Sequence, residues 1–274
     1  MPELPEVETV RRTLTPAIGQ TIAAVWDSGK GLHMRRKPPR KKLRALVGAT
    51  ITAVRRHGKY LLVDTDRPDT LLVHLGMTGR FCLHRKGTPR GTHTHLVLEL
   101  GATELRFTDP RRFGQIDVFV RDAERHHPAL AVLGPDALEH VIDVDAFLAA
   151  AKARRTTLKA FVLDQSVIAG VGNIYASEAL WRAQLRPTRR TRKLTADGAQ
   201  KLVAAIREVI DHALTNGGTT LSDFVDADGK AGENADYLWV YDRAGKPCPR
   251  CETAIKRSVL QGRATYYCPT CQTP

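Results

Sequence analysis

The sequence predicts a multi-domain α+β protein: an N-terminal β-sandwich or barrel with a short N-terminal helix, a helical domain, and a C-terminal segment closed by cysteines. Three observations predict it. The first 120 residues are dominated by short aliphatic or β-branched runs separated by Gly, Pro, Asp and Thr. After residue 140 the pattern becomes Ala-rich and helix-periodic. The last 27 residues hold four of the five cysteines, as Cys248-Pro-Arg-Cys251, sixteen residues, then Cys268-Pro-Thr-Cys271. Boundaries are expected to delimit domains 1–130, 131–225 and 226–274.

Residues 5–14 read as a helix. Pro5 suits its first position, Glu6 and Glu8 favour its positive end, and Val7, Val10 and Leu14 share a face. Residues 21–26, 50–54, 60–64, 71–75, 96–100 and 116–120 read as strands, a spacing that suits a sandwich or barrel. Cys82, in Phe81-Cys82-Leu83, reads as a packed strand residue. Residues 34–44 carry seven Lys or Arg and two prolines. They are expected to form an exposed loop, either solvated or touching a polyanion. Helices are expected at 145–155, 158–164, 173–182 and 195–214, the last capped by Thr195 and stopped by Asn216-Gly217-Gly218. A polar loop at 226–236 and a strand at 237–241 lead into the cysteine segment.

Lys plus Arg number 42 against 29 Asp plus Glu, for a net charge of +13 and a pI of about 9.8. A surplus of that size points to a polyanionic partner, nucleic acid before membrane. No apolar stretch approaches the roughly 20 residues a bilayer span needs. The acidic N-terminus lacks the apolar segment of a signal peptide, so a cytoplasmic location with reduced thiols is expected. In that setting Cys248, Cys251, Cys268 and Cys271 have the spacing of a tetrahedral Zn²⁺ site. Two disulfides in a secreted protein are the alternative, disfavoured by the tight pairing.

Four stretches carry chemistry. They are Met1-Pro2-Glu3-Leu4-Pro5-Glu6-Val7-Glu8-Thr9; Thr108-Asp109-Pro110-Arg111-Arg112-Phe113-Gly114; Gly170-Val171-Gly172-Asn173-Ile174-Tyr175-Ala176-Ser177-Glu178; and the cysteine segment with Arg263-Ala264-Thr265. In that order, over essentially the whole chain, they resemble the bacterial formamidopyrimidine-DNA glycosylases. Leu4 and Val7 resemble this branch rather than the endonuclease VIII branch. The resemblance implies a bifunctional glycosylase and AP lyase that removes oxidised purines (8-oxoguanine and formamidopyrimidines) from duplex DNA, acting as a monomer in the bacterial cytoplasm at the nucleoid. It also implies that the N-terminal strands form a β-sandwich, that the helical domain holds a helix–two-turn–helix element, and that the C-terminal four-cysteine segment is a β-hairpin with one structural zinc.

Pro2 makes chemical sense by itself. Removal of Met1 would leave a secondary amine, and an α-amino group with a pKa near 7.7–8.0 is partly neutral at physiological pH. Such an amine can attack a sugar C1′ and form an iminium that acidifies the C2′ proton. Alone, Pro2 would read as the end of a disordered terminus; the other motifs favour catalysis. By resemblance Glu3 is the general acid at the sugar, though it could simply complement the helix dipole. Glu6 reads as a buried supporting carboxylate. Lys59 matches a lysine assisting β-elimination, and Arg263 an arginine gripping phosphate during the second elimination. Met77, Arg111 and Phe113 match the group that fills the space of an extruded base; from pattern alone Met77 and Phe113 would read as core. Asn173 follows a Gly-rich turn that brings backbone close to phosphate. His93, Arg154 and Lys159 are weaker matches, as phosphate or lesion contacts, and His93, like His74 and His95, also reads as a plain strand-edge histidine. Gly232-Glu233-Asn234-Ala235-Asp236-Tyr237 departs from the aromatic and glutamine pattern of the family's lesion-covering loop. The rival readings are an endonuclease VIII-like enzyme for oxidised pyrimidines and a non-catalytic zinc-dependent protein that binds damaged DNA.

Overall fold

The computed structural model describes residues 1–33 and 39–272. It divides into two compact units that interleave in sequence: Met1–Ala131 with Asn216–Ala235, and Val132–Thr215 with Asp236–Pro274. The stretch after the long helix therefore packs with the N-terminal unit, and a sequential cut at 225/226 falls inside it.

In the first unit, helix α1 (Leu4–Thr13) begins with Leu4 and Pro5 and buries Leu4, Val7 and Val10. Each fully buried aliphatic side chain contributes roughly 1.5–3 kcal/mol. Eight antiparallel strands follow: β1 (Ala24–Asp27), β2 (Ile51–His57), β3 (Tyr60–Thr65), β4 (Asp69–His74), β5 (Arg80–Arg85), β6 (Thr94–Leu100), β7 (Thr103–Thr108) and β8 (Gln115–Val120). They form two sheets, ordered β1-β6-β7-β5 and β2-β3-β4-β8. One apolar cluster joins both sheets to α1: Leu61, Val63 and Val73 meet Phe81, Leu98 and Phe107, with Val7, Val10 and Leu14. That is the expected sandwich.

Two corrections concern this unit. Helix α2 (Arg40–Ala45) occupies part of the basic run read as a loop; residues 34–38 of that run lie outside the described residues. Strands β5 and β7 were not fully legible. In β7 the buried Arg106 donates to the buried Glu104 at 2.7 Å, so a charged pair interrupts the apolar signal.

In the second unit, α3 (Val144–Ala153), α4 (Leu158–Leu163), α5 (Asn173–Arg182) and α6 (Ala196–Thr215) match the expected helices closely. Asp143 caps α3 by accepting from Asp145 and Ala146 N–H. The hairpin of β9 (Lys256–Leu260) and β10 (Arg263–Tyr267) carries the cysteine segment. The strand expected at 237–241 is absent. Asn234–Tyr237 is a 3₁₀ turn, and the N–H groups of Trp239, Val240 and Tyr241 all donate to the buried carboxylate of Glu178, at 2.7, 3.0 and 2.7 Å. A carboxylate takes the donors that a strand would give to a ladder.

Candidate active site and zinc centre

Pro2 is buried and Met1 is half-exposed. Glu3, the N-cap of α1, is 2 % exposed, and Glu6 accepts its N–H at 2.7 Å, completing a capping box. The other oxygen of Glu6 accepts the Thr219 N–H at 2.7 Å. Gly218, with φ +84°, gives the close approach this needs; a Cβ there would sit 3.1 Å from that Glu6 oxygen. Glu6 is thus the buried supporting carboxylate the sequence suggested, tying α1 to the 216–235 segment.

Glu8 locks the same helix from another side. It accepts from Arg11 and Arg12 on α1 and from the buried Arg56 of β2 at 3.1 Å. Burial opposes its charge, yet the three guanidiniums hold its carboxyl down at about 2. Arg56 also donates to the Gly58 carbonyl at 3.0 Å, in the two-residue turn of the β2–β3 hairpin where Lys59 sits, 8 % exposed. One chain of bonds therefore fixes the helix bearing Pro2 and Glu3 and the turn bearing Lys59.

Burial, then the Lys59 ammonium, pushes His74 down to about 4. The neutral ring lies 4.7 Å from Tyr60 and accepts the Gly76 N–H on Nδ1 at 3.1 Å. This starts the turn carrying Met77, which is exposed, as are Arg111 and Phe113. The core packing that pattern alone suggests for Met77 and Phe113 is therefore not what the structure has. The Arg111 guanidinium stands 4.9 Å over the Phe113 ring.

The link between the two tips was missed from sequence. Asp109 is fully buried; one oxygen accepts from Thr78 Oγ1 at 2.6 Å and the other from Gly114 N–H at 2.7 Å. Arg111 N–H reaches Thr78 Oγ1 at 3.3 Å. Gly76 has φ +65° and no room for a Cβ, which would lie 2.5 Å from Gly114 N. Asp109 clasps the Met77 and Phe113 turns into one tip. His95 supports the clasp: it is buried, bonded to Ser28 Oγ and to the Asp109 carbonyl, both at 3.0 Å. That corrects its reading as a plain strand-edge residue. His93 is exposed in the turn just before β6. Cys82 is a buried strand residue, as expected; burial raises its thiol to about 11.

In the second unit, Gln165 shapes the turn before α5. It donates to the Leu163 and Val171 carbonyls and accepts from Gly170 N–H. Asn173 opens α5 and donates to the Ala264 carbonyl of β10 at 2.9 Å. Its buried Oδ1 has no hydrogen-bond partner among the described residues. Lys159 requires a correction. It is 1 % exposed, and its ammonium donates to the Asn173 carbonyl and to Ser177 Oγ. It supports the α5 entry from inside and has no surface to offer a phosphate. Arg154 is partly exposed, lies over the Phe161 ring and is 3.7 Å from Asp164. Arg263 is exposed at the start of β10.

The four thiols converge, with all Sγ atoms within 4.8 Å of one another and individual separations of 3.3, 3.5 and 3.9 Å. A tetrahedron with Zn–S bonds of about 2.3 Å needs separations near 3.8 Å, so the donors fit Zn²⁺. Trp181 Nε1 donates to Cys248 Sγ at 3.4 Å, a bond that steadies a ligand from α5.

Three family models match in order: the formamidopyrimidine-DNA glycosylase N-terminal domain at residues 1–116, its H2TH domain at 133–225, and the zinc finger found in FPG and IleRS at 245–274. The formamidopyrimidine-DNA glycosylase of Nitrosococcus oceani is 41 % identical over 274 residues, covering 99 % of this chain and all of that protein. The chain belongs to the formamidopyrimidine-DNA glycosylase family. Solved relatives include Lactococcus lactis Fpg in complex with an abasic-site DNA (TM-score 0.91, 31 % identity, 99 % of this chain and 100 % of that one). The wild-type Lactococcus lactis protein with an N7-benzyl-Fapy-dG DNA matches equally (TM-score 0.91, 31 %, 100 % of both chains). In this family chain the four cysteines hold one structural zinc; four thiolates leave no open position for a water.

Proposed function

We propose that this protein is a bifunctional DNA glycosylase and AP lyase of base-excision repair, acting on oxidised purines in duplex DNA with Pro2 as nucleophile. The observation that carries the reading is the N-terminus: Pro2 and Glu3 are buried at the head of a helix locked by Glu6 and Glu8. A disordered terminus would show none of this.

After Met1 is removed, the Pro2 amine attacks C1′ of the damaged nucleotide as the base leaves. Glu3 supplies a proton at the sugar ring oxygen, opening the ring to an iminium. The iminium accepts the electrons released when the C2′ proton departs, and the 3′ phosphate leaves. Lys59 assists this elimination. Arg263 holds the phosphate expelled in the second elimination, which leaves a one-nucleotide gap flanked by phosphates. Extruding the base costs a few kcal/mol; Met77, Arg111 and Phe113 fill its place. Asn173, the α5 N-terminus, His93 and Arg154 hold the backbone. The 226–236 segment covers the extruded base. The protein works as a monomer, one pocket per flipped base, in the bacterial cytoplasm. Among the described residues no helix is long and apolar enough to cross a membrane.

The test is product analysis on 8-oxoguanine:cytosine, thymine-glycol and abasic duplexes. The reading predicts faster cleavage of 8-oxoguanine than of thymine glycol, with phosphate at both gap ends. Preference for thymine glycol would make it an oxidised-pyrimidine enzyme. Binding without cleavage of any duplex, by protein lacking Met1, would overturn the catalytic reading.

A further inference from the structure

The second unit carries a basic ridge of which the roles above use only Arg154. Residues 154–158 and 189–191 run side by side. Leu158 N–H donates to the Arg189 carbonyl at 2.8 Å, Thr191 N–H to the Thr156 carbonyl at 3.0 Å, and Thr191 Oγ1 to the Arg154 carbonyl at 2.7 Å. Thr157 and Arg190 form an antiparallel bridge. The 3₁₀ turn Thr191–Lys193 closes the ridge.

Two of its cations have an internal explanation. Lys152 donates to the Arg192 carbonyl at 2.7 Å and Arg189 to the Lys193 carbonyl at 3.1 Å. Cations at the carbonyl end of a turn complement its dipole. Arg155, Arg190, Arg192 and Lys193 have none. All four are exposed, and among the described residues none has a carboxylate within 4 Å. Relief from a distance is scarce too. Between Asp164 and Asp197 the sequence has a single carboxylate, Glu178, and that one is buried and spent on three backbone N–H groups. Like charges gathered on laced segments repel and cost stability. A polyanion reverses the sign of that cost.

We propose that Arg155, Arg190, Arg192 and Lys193 form a second phosphate-binding ridge that holds undamaged duplex DNA by its backbone. The inference rests on the DNA-repair reading but assigns a surface distinct from the lesion chemistry. The ridge segments (154–158 and 189–193) contain no aromatic residue, so no platform exists for stacking single-stranded bases. Their exposed side chains offer no apolar face for a membrane or for the core of a protein interface. What remains is a phosphate contact without base readout, suited to non-specific binding between lesions.

The test measures affinity for an undamaged duplex between about 50 and 200 mM salt. It compares the full-length zinc-loaded protein with R155A/R190A/R192A/K193A and with R155K/R190K/R192K. Four phosphate contacts contribute a slope of about 3–4 in log K against log salt, so the wild type loses roughly a hundredfold more affinity over this range than the alanine variant. The lysine variant keeps the wild-type slope, because a phosphate accepts a point charge as well. A structural role would instead show as a lowered melting temperature in both variants. An unchanged slope in the alanine variant overturns the proposal, as does a lysine variant that fails like alanine. Unchanged duplex binding with lost affinity for RNA or an acidic protein also overturns it. Low-salt borohydride trapping on a short abasic duplex separates the two readings. It stays at wild-type level in both variants if the ridge lies outside the chemistry, and its absence from the wild type itself would count against the Pro2 mechanism alone.

Discussion

The helix bearing Pro2 and the hairpin bearing the cysteines are both small and both must be held rigidly, yet they are held by different physics. Helix α1 sits on an apolar cluster shared with two sheets and is pinned by carboxylates, with Glu6 on Glu3 and Thr219 and Glu8 on Arg56. The hairpin shares with Trp181 of α5 a core of six buried residues among those described, two of them cysteine ligands. Its stability depends on a metal where that of α1 depends on burial and hydrogen bonds. The contrast teaches that the N-terminal end should degrade in steps under substitution, whereas the hairpin should fail all at once.

Loss of zinc is the largest expected effect. Structural zinc contributes about 10–16 kcal/mol of apparent binding energy, which is folding energy. Cys268→Ser, or chelation, should therefore unfold the 245–272 segment and abolish tight DNA binding while the sandwich persists. Amide exchange resolved by segment checks this; a protected hairpin without metal would break the comparison.

Next comes the Asp109 clasp. Asp109→Ala leaves Thr78 Oγ1 and Gly114 N–H without their buried acceptor, each costing roughly 1–3 kcal/mol. Base extrusion, followed by 2-aminopurine fluorescence opposite the lesion, should drop far more than trapping on a pre-formed abasic site. Equal losses would mean that the Met77 and Phe113 turns do not act as one tip.

A smaller effect is expected at Glu8. Its folded pKa of about 2 lies below its ordinary value of 4.5. A depressed carboxyl contributes stability that is complete above about 4.5 and is lost as pH falls towards 2. Glu8→Gln should lower the melting temperature at neutral pH and flatten its fall over that window. An unaltered pH profile would show that the three guanidiniums do not stabilise the folded carboxylate. Smallest is Glu6→Gln, which keeps the volume and one acceptor. About 1 kcal/mol of helix capping is at stake, and thermal melting should register a loss of a few degrees.

The same contrast governs what the sequence revealed. The cysteine hairpin was legible because ligand spacing is a local property. Strands β2, β3, β4, β6 and β8 were legible as aliphatic runs. Strand β7 was obscured because Glu104 and Arg106 are buried as a pair inside it. The false strand at 237–241 arose because the acceptor for its N–H groups, Glu178, lies some sixty positions earlier. Lys159 read as a phosphate or lesion contact because its burial depends on what α5 brings against it. In the candidate site, Pro2, Glu3 and the exposed tips could be named from their motifs. Asp109 could not, since its partners come from two separate turns, although an Asp before Pro110 beside a Gly-containing turn is a local signal of side-chain bonding to backbone.

The central claim is that the Pro2 amine is the nucleophile, and borohydride trapping on an abasic duplex with peptide-level mass spectrometry tests it most directly. The account predicts a covalent adduct on the N-terminal peptide, at Pro2, in protein lacking Met1, and none after N-terminal acetylation. An adduct mapped to Lys59 or another lysine, or undiminished trapping by acetylated protein, would contradict it.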